Sequence, residues 1–239
     1  MHYSRSRPER GRHRASVRYD GGVDGTTAFL FVDLSGFTAL TEVHGDRDAA
    51  DVAERFYALA ETSLVGDARI VKTIGDAVMV ATSETESAIA IALRLRDAIR
   101  AEPSFPMVRT GVHAGVAVER RGDFIGASVN LAARIAAFAC SGQIACSAVV
   151  ADVVRARALA DVRSLGEVRL KNIAQPIELF AIADRLGDAA DTFVDPICRM
   201  CVSRDAPDRR VVGDRTIYFC SSGCALAFDV ASGRSERLG

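Results

Sequence analysis

From Thr26 to Val32 the chain runs Thr-Thr-Ala-Phe-Leu-Phe-Val, short, aromatic and aliphatic. Such a run predicts a buried strand. It ends at Asp33, and Ser35-Gly36-Phe37-Thr38 opens a helix. Between Asp48 and Leu64, the apolar residues Val52, Phe56, Leu59 and Leu64 recur at helical spacing and predict a second helix. Ala68–Lys72 and Ala77–Ala81 predict two strands joined by a turn at Gly75-Asp76. Glu84–Ala101 is strongly periodic, and Pro103 just beyond it marks a helix stop. Val108–Glu119 predicts one strand, closed by the polar turn Arg120-Arg121-Gly122-Asp123. Ile125–Cys140 and Ser147–Arg157 predict helices, and Val162–Lys171 and Ile177–Ile182 predict strands. Long helices mixed with hairpin-spaced strands predict an α+β sandwich and not a strictly alternating parallel sheet.

The two ends of the chain differ from this middle. Residues 1–24 carry Arg5, Arg7, Arg10, Arg12, Arg14 and Arg18 against Glu9 and Asp20, with few apolar positions. They are expected to be a disordered basic arm, with a weak contact to nucleic acid or another acidic surface as the alternative. Leu186–Thr192 is small and polar, which predicts a linker. A main domain over 25–185 and a cysteine-containing module over 193–235 follow from these boundaries.

Composition adds exclusions. The 239 residues suffice for one full-sized domain and a small appendage. A net charge of -1 excludes bulk attraction to nucleic acid or membrane. No segment has the length and apolarity of a membrane span, and the arginine-rich start lacks the apolar core of a signal peptide, so a cytoplasmic location is expected. Six cysteines are present. Cys140 and Cys146 are expected to be buried thiols. Cys198, Cys201, Cys220 and Cys224 crowd into the C-terminal end, and in a reducing compartment such a group points to a metal site over a disulfide framework.

Two aspartates stand where chemistry is expected. Asp33 closes a buried strand, and Asp76 sits in a turn between two strands. Two carboxylates at neighbouring strand ends can hold a pair of Mg²⁺ ions together with substrate phosphates. Each could instead cap a turn or helix. Their surroundings decide between these readings. Phe31-Val32-Asp33-Leu34-Ser35-Gly36-Phe37-Thr38 resembles the first metal motif of the class III adenylate and guanylate cyclases. Lys72-Thr73-Ile74-Gly75-Asp76-Ala77-Val78-Met79 resembles their second. The stretch from Gly122 through Asn130 to Arg134 resembles their third, and Gly166–Asn172 resembles the strand that closes their domain. The motifs come in family order over about 160 residues.

The resemblance implies a ferredoxin-like βαββαβ-type sandwich and a reaction in which the 3′-hydroxyl of a nucleoside triphosphate attacks its own α-phosphorus. It implies two Mg²⁺ or Mn²⁺ ions held by Asp33, Asp76 and the Leu34 backbone carbonyl. Asn130 would orient the ribose, Arg134 would neutralise the α-phosphate, and Lys171 would contact the terminal phosphates. Lys72 and Asp123 occupy the purine-reading positions. Lysine only donates and an ionised aspartate only accepts, which matches N1 and the 6-amino group of adenine. Guanine presents the reverse pattern, and guanylate cyclases usually carry other residues there. ATP is therefore the expected substrate. In the family, the metal aspartates and the base-reading residues of one site come from different subunits. A chain holding both sets implies a head-to-tail homodimer. The alternatives are a guanylate cyclase, or a catalytically weak nucleotide-binding and metal-sensing interaction protein.

At the C-terminal end, Asp195-Pro196-Ile197-Cys198-Arg199-Met200 and the stretch Tyr218–Phe228 resemble the small YHS domain, in which a first cysteine, a hairpin and a second cysteine pair recur. Cys198, Cys220 and Cys224 match that pattern. Arg199 replaces its usual glycine, and Cys201 is an additional thiol that could complete a four-sulfur site for Zn²⁺ or Cu⁺. Reduced structural cysteines are the alternative. His113 and Met79 are expected in the core or a turn.

Overall fold

A computed structural model describes residues 25–183, 192–198, 200–206 and 208–233 of the protein. The expected basic arm, and all but the last residue of the expected linker, lie outside the described residues. In chain order the first part comprises β1 (Thr27–Leu34), α1 (Phe37–His44), α2 (Asp46–Ser63), β2 (Arg69–Ile74), β3 (Ala77–Thr82) and α3 (Thr85–Ala101). Then follow β4 (Val108–Gly115), β5 (Val118–Arg120), β6 (Asp123–Ile125), α4 (Ala127–Phe138), β7 (Ile144–Ser147), α5 (Ala148–Ala156), β8 (Asp161–Val168) and β9 (Ile177–Ala183). Seven strands form one mixed sheet in the order β2-β3-β1-β4-β7-β9-β8.

β1 is central and antiparallel to both neighbours, β3 and β4. Its side chains alternate between two cores, as the period of a strand requires. Ala28, Leu30, Val32 and Leu34 pack with Phe56 of α2, Ile89 and Leu95 of α3, and Val150 of α5. Phe29 and Phe31 pack with Met79, Ala81 and the α4 residues Val129, Ala132 and Ala136. Burial on both faces explains the unbroken apolar run. Asp33 shares the parity of Phe29 and Phe31, so the pleat turns it to the α4 face. On that face α4 lies hard against β4. A Cβ on Gly111 would stand 2.1 Å from the Ala136 backbone nitrogen, so only glycine admits the helix there.

The structure departs from the sequence expectations at three places. The single strand expected over Val108–Glu119 breaks after Gly115. Gly115 pairs with Thr27, the first residue of β1, so the ladder partner runs out there. The chain then forms the separate β5–β6 hairpin, turning through Arg121 at φ 52 and Gly122 at φ 78. β6 takes Ile125, so the next helix starts at Ala127. Second, Ile144–Ser147 forms β7, a buried strand parallel to β4 that no local pattern predicts. Third, Cys140 is exposed, whereas Cys146 is buried in β7 as expected. Met79 is fully buried.

The C-terminal part comprises β10 (Thr192–Val194), β11 (Cys201–Ser203), β12 (Asp208–Val212), β13 (Arg215–Phe219) and α6 (Ser222–Ala231), with two two-stranded ladders. It shares a hydrophobic core with the first helices. Leu40 of α1 and Ala49 of α2 pack with Cys198, Met200, Phe219, Cys224 and Ala225. Pro106 and Met200 add an isolated β-bridge.

Asp67, just before β2, accepts hydrogen bonds from the Thr82 hydroxyl at 2.6 Å and the Ser83 N–H at 3.1 Å, tying the start of β2 to the end of β3. These bonds hold its carboxyl at about 2, below the ordinary 3.8. A depressed folded-state value stabilises the fold above the ordinary aspartate range, and that stability is lost as pH falls toward about 2. Asp67→Asn is therefore expected to lower the melting temperature near neutral pH. The gap to wild type should close as melts are repeated from pH 4 downward; a gap that does not change with pH would contradict this account.

Candidate active site

The β2–β3 connection is the two-residue turn Gly75-Asp76, closed by the Ile74–Ala77 pair. Gly75 adopts φ 59, the left-handed geometry such tight hairpins need. The turn is fastened to the end of β1, because the Leu34 N–H donates to the Asp76 carbonyl at 3.1 Å. From α2, the Tyr57 hydroxyl donates to the Gly75 carbonyl. The Ser35 N–H donates to the Met107 carbonyl at 2.8 Å. Asp33 and Asp76 are thereby presented from adjacent backbone segments.

The Asp33 carboxyl is pushed above its ordinary value. Burial is the largest cause, a hydrogen bond from Arg109 opposes it, and the negative charge of Asp76 pushes further upward. The Arg109 Nε donates to Asp33 at 2.5 Å from the facing position on β4. Next to this pair, the buried Ser35 hydroxyl has no hydrogen-bond partner among the described residues. A half-buried carboxylate, a second carboxylate repelling it and an orphaned hydroxyl suit a divalent cation, which would supply the missing positive charge. Asp33, Asp76 and the Leu34 carbonyl are the groups that could hold it.

Lys72 and Asp123, 51 positions apart, meet directly. The Lys72 Nζ donates to both carboxylate oxygens of Asp123, at 2.8 and 2.7 Å. That contact, first among its causes, lowers the Asp123 pKa. Lys72 faces Met79, which faces Phe31, which faces Gly111, so the lysine lies on the α4 face of the sheet. Arg69 pins the β5–β6 hairpin beside it, donating to Glu119 at 2.7 Å and to the Gly122 carbonyl at 2.9 Å. Phe124 packs edge-on against Phe29, with ring centroids 5.2 Å apart.

Asn130 and Arg134 project from α4, one turn apart. Asn130 is exposed and Arg134 half-buried, while Val129, Ala132 and Ile135 of the same helix face the core. Lys171 is exposed in the β8–β9 connection. β8 forms the sheet edge opposite β2, six strand spacings or about 29 Å away. One chain thus brings together Asp33 with Asp76, and Lys72 with Asp123, but does not bring Lys171 to them. A cavity of about 230 Å³ lies toward the other end of β1, lined by Thr27, Asp67, Arg69, Thr82, Glu119 and Phe124 among others. His113 is half-buried, with Nδ1 2.8 Å from the Ser147 Oγ, and burial lowers its pKa.

In the C-terminal part, Cys198 and Cys220 bring their sulfurs to 3.3 Å, and Cys220 and Cys224 to 3.7 Å. The side chain of Cys201 lies outside the described part of the chain. His44, which no spacing rule singles out, reaches the same cluster from α1, with Nε2 3.5 Å from the Cys220 sulfur. Arg109 was likewise invisible as the partner of Asp33, because only strand register brings them together.

Residues 23–184 match the family described as the adenylate and guanylate cyclase catalytic domain. The chain belongs to this family. An adenylate cyclase of Glutamicibacter nicotianae is 33% identical over 202 residues, covering 77% of this chain and 49% of that protein. A pH-sensitive adenylate cyclase of Mycobacterium tuberculosis is 34% identical over 160 residues, covering 64% of this chain and 39% of that protein. The chain thus spans half or less of the length of these curated relatives. Among solved structures, the adenylyl cyclase CyaB from P. aeruginosa superposes with a TM-score of 0.60 at 20% identity, covering 68% of this chain and 96% of that one. The seven-stranded sheet and its helices are therefore the class III cyclase fold, and the Asp33–Asp76 pair lies within the matched domain.

If the cyclase domain uses Asp33 as a cation ligand, Asp33→Asn removes a repelled, partly desolvated charge. Without divalent ions the variant should melt at least as high as wild type. Wild type alone should gain stability with Mn²⁺, by about 2.7 kcal/mol at a concentration 100 times Kd. Equal Mn²⁺-dependent shifts in scanning fluorimetry would remove Asp33 from the site.

Proposed function

We propose that the protein is an adenylate cyclase that converts ATP to 3′,5′-cyclic AMP and pyrophosphate at the interface of a head-to-tail homodimer. The observation that carries the reading is the Lys72–Asp123 pair, a donor beside an acceptor, on the same hairpin as Asp76. The adenine edge offers the complementary acceptor and donor. The pair is half-exposed, which leaves it within reach of a purine edge that could take over both bonds.

In the reaction the ribose 3′-oxygen forms a bond to the α-phosphorus, the bond from that phosphorus to the bridging oxygen breaks, pyrophosphate leaves and the 3′-hydroxyl proton is released. Two Mg²⁺ or Mn²⁺ ions held by Asp33, Asp76 and the Leu34 carbonyl would lower the pKa of that hydroxyl and neutralise the triphosphate. The Asn130 amide orients the ribose by hydrogen bonding. The Arg134 guanidinium, planar and always charged, meets the charge that develops on the α-phosphoryl oxygens. Lys171 binds the terminal phosphates. Positioning and electrostatics supply the catalysis.

The distribution of groups within the chain supports the dimer. Lys171 stands across the sheet from Lys72, on the edge strand's connection. Ile74, Val116, Val118 and Ile125 expose apolar surface around β2 and the β5–β6 hairpin, beside Lys72 and Asp123. Such a patch supports a partner surface there. No helix among the described residues is long and apolar enough to cross a membrane, and we place the reaction in the cytoplasm. The C-terminal YHS-like module, 193–235, is read as a metal- or thiol-sensing unit that tunes the cyclase through α1.

Incubation with ATP or GTP and Mg²⁺ or Mn²⁺, followed by product analysis, tests the reading. Cyclic AMP is expected, with kcat/KM for ATP at least about tenfold above GTP, since one mispaired donor–acceptor set costs at least that much. A preference for GTP would make the protein a guanylate cyclase, and no cyclic product would leave a binding module. Asp33→Ala and Asn130→Ala should each be inactive alone. Mixed in equal amounts they should recover about a quarter of wild-type activity, because half the dimers are mixed and each holds one intact site.

A further inference from the structure

Four potential metal ligands converge where the C-terminal module meets the cyclase domain. The Nε2 of His44 and the sulfurs of Cys198, Cys220 and Cys224 all lie within 4.8 Å of one another. Three come from the module, and the fourth is the last residue of α1. Zinc bound tetrahedrally, with Zn–S near 2.3 Å and Zn–N near 2.05 Å, sets ligand-to-ligand distances of about 3.8 Å for two sulfurs and about 3.6 Å for sulfur and nitrogen. The structure has 3.3 Å for Cys198–Cys220 and 3.7 Å for Cys220–Cys224. It has 3.5 Å for His44–Cys220 and 3.9 Å for His44–Cys224. Four of the six edges thus lie within about 0.5 Å of those of a zinc tetrahedron, and the other two are no longer than 4.8 Å.

The surroundings are built for the same purpose. Asp195 is fully buried, and its two carboxylate oxygens accept from the Ile197 N–H and the Cys220 N–H, each at 2.8 Å. One side chain thereby clamps the two loops that carry Cys198 and Cys220. Among the described residues no cationic side chain pairs with this buried carboxylate, and a bound dication would offset its charge. The Ser221 hydroxyl caps α6 by accepting from the Cys224 N–H, which fixes Cys224 in the first turn of that helix. Leu40, Phe219 and Ala225 wall the cluster with apolar surface.

We propose that His44, Cys198, Cys220 and Cys224 form a zinc site that fastens the C-terminal module to α1 of the cyclase domain. This rests on the reading of that module as metal-binding, but it replaces Cys201 by a histidine from the catalytic domain and makes the metal a bridge between the two parts. Binding converts three thiols to thiolates and releases their protons to solvent, while His44 coordinates as neutral imidazole. The mixed nitrogen and sulfur set suits zinc. The bridge ends on α1, which begins at Phe37, three residues beyond Leu34. Zinc occupancy therefore sets how firmly the helix leaving the Asp33 loop is held.

The test is the zinc content and zinc affinity of the full chain and its variants, by elemental analysis and chelator competition. One zinc per chain is expected in wild type and in Cys201→Ser. Cys220→Ser should lose it, and His44→Ala should bind at least about 100-fold more weakly. His44→Cys, which restores a fourth donor, should recover binding and shows that the loss in His44→Ala is not misfolding. Stripping zinc should lower the melting temperature of wild type and Cys201→Ser, but leave that of His44→Ala unchanged. No metal in any form would overturn this site together with the metal-binding reading of the module. Zinc lost in Cys201→Ser but kept in His44→Ala would overturn the bridge alone and leave a four-thiolate site. Copper bound equally by wild type and His44→Ala would also overturn it.

Discussion

The candidate site is organised around one backbone hydrogen bond, from the Leu34 N–H to the Asp76 carbonyl. It holds the end of β1 against the β2–β3 turn, and so holds two carboxylates near each other against their mutual repulsion. The repulsion is visible in Asp33, whose pKa is raised first by burial and further by Asp76. A fold keeps such a pair only if the surroundings over-determine it. Here they do so with the Tyr57–Gly75 contact, the Ser35–Met107 bond and the complete burial of Leu34. Arg109 offsets part of the charge.

Neighbouring parts carry that constraint outward. β1 has no free face, because α2, α3 and α5 cover one side and α4 the other. The contact of Gly111 with Ala136 locks α4 onto the sheet, so Asn130 and Arg134 hold a set position relative to β1. On its other flank, the Asp33 loop runs straight into α1, and α1 is shared property: Leu40 belongs to the same core as Cys198 and Phe219. The C-terminal module is thus packed onto the first helix after the Asp33 loop.

How much of this was legible in the sequence follows from the range of the interactions. β1 was readable because burial on both faces leaves a continuous apolar run. Asp33, Asp76, Asn130 and Arg134 stand out as candidates in the sequence because each sits in a short local motif. β7 was not, because Ile-Ala-Cys-Ser has little strand preference and is held by parallel pairing to β4 and antiparallel pairing to β9. The break between β4 and β5 was not, because it depends on where β1 begins. Arg109 and His44 escaped for the same reason: their partners lie 76 and 176 positions away. Non-local register makes a site that local pattern cannot show.

The same hairpin that carries Asp76 carries Lys72, four residues earlier and on the opposite strand from the β3 core residue Met79. In the proposed enzyme these two side chains belong to different substrates. On the proposed roles, one end of the hairpin faces a triphosphate and its strand faces a purine, while Lys171 stands in the connection of the far edge strand. Two copies arranged by a twofold axis accommodate these roles, since each hairpin then serves one site with its turn and the other with its strand. On this reading, sequence proximity of Lys72 and Asp76 is what links the two sites: any shift of the β2–β3 hairpin, whether from the Asp33 loop or from the α1 side, alters both at once.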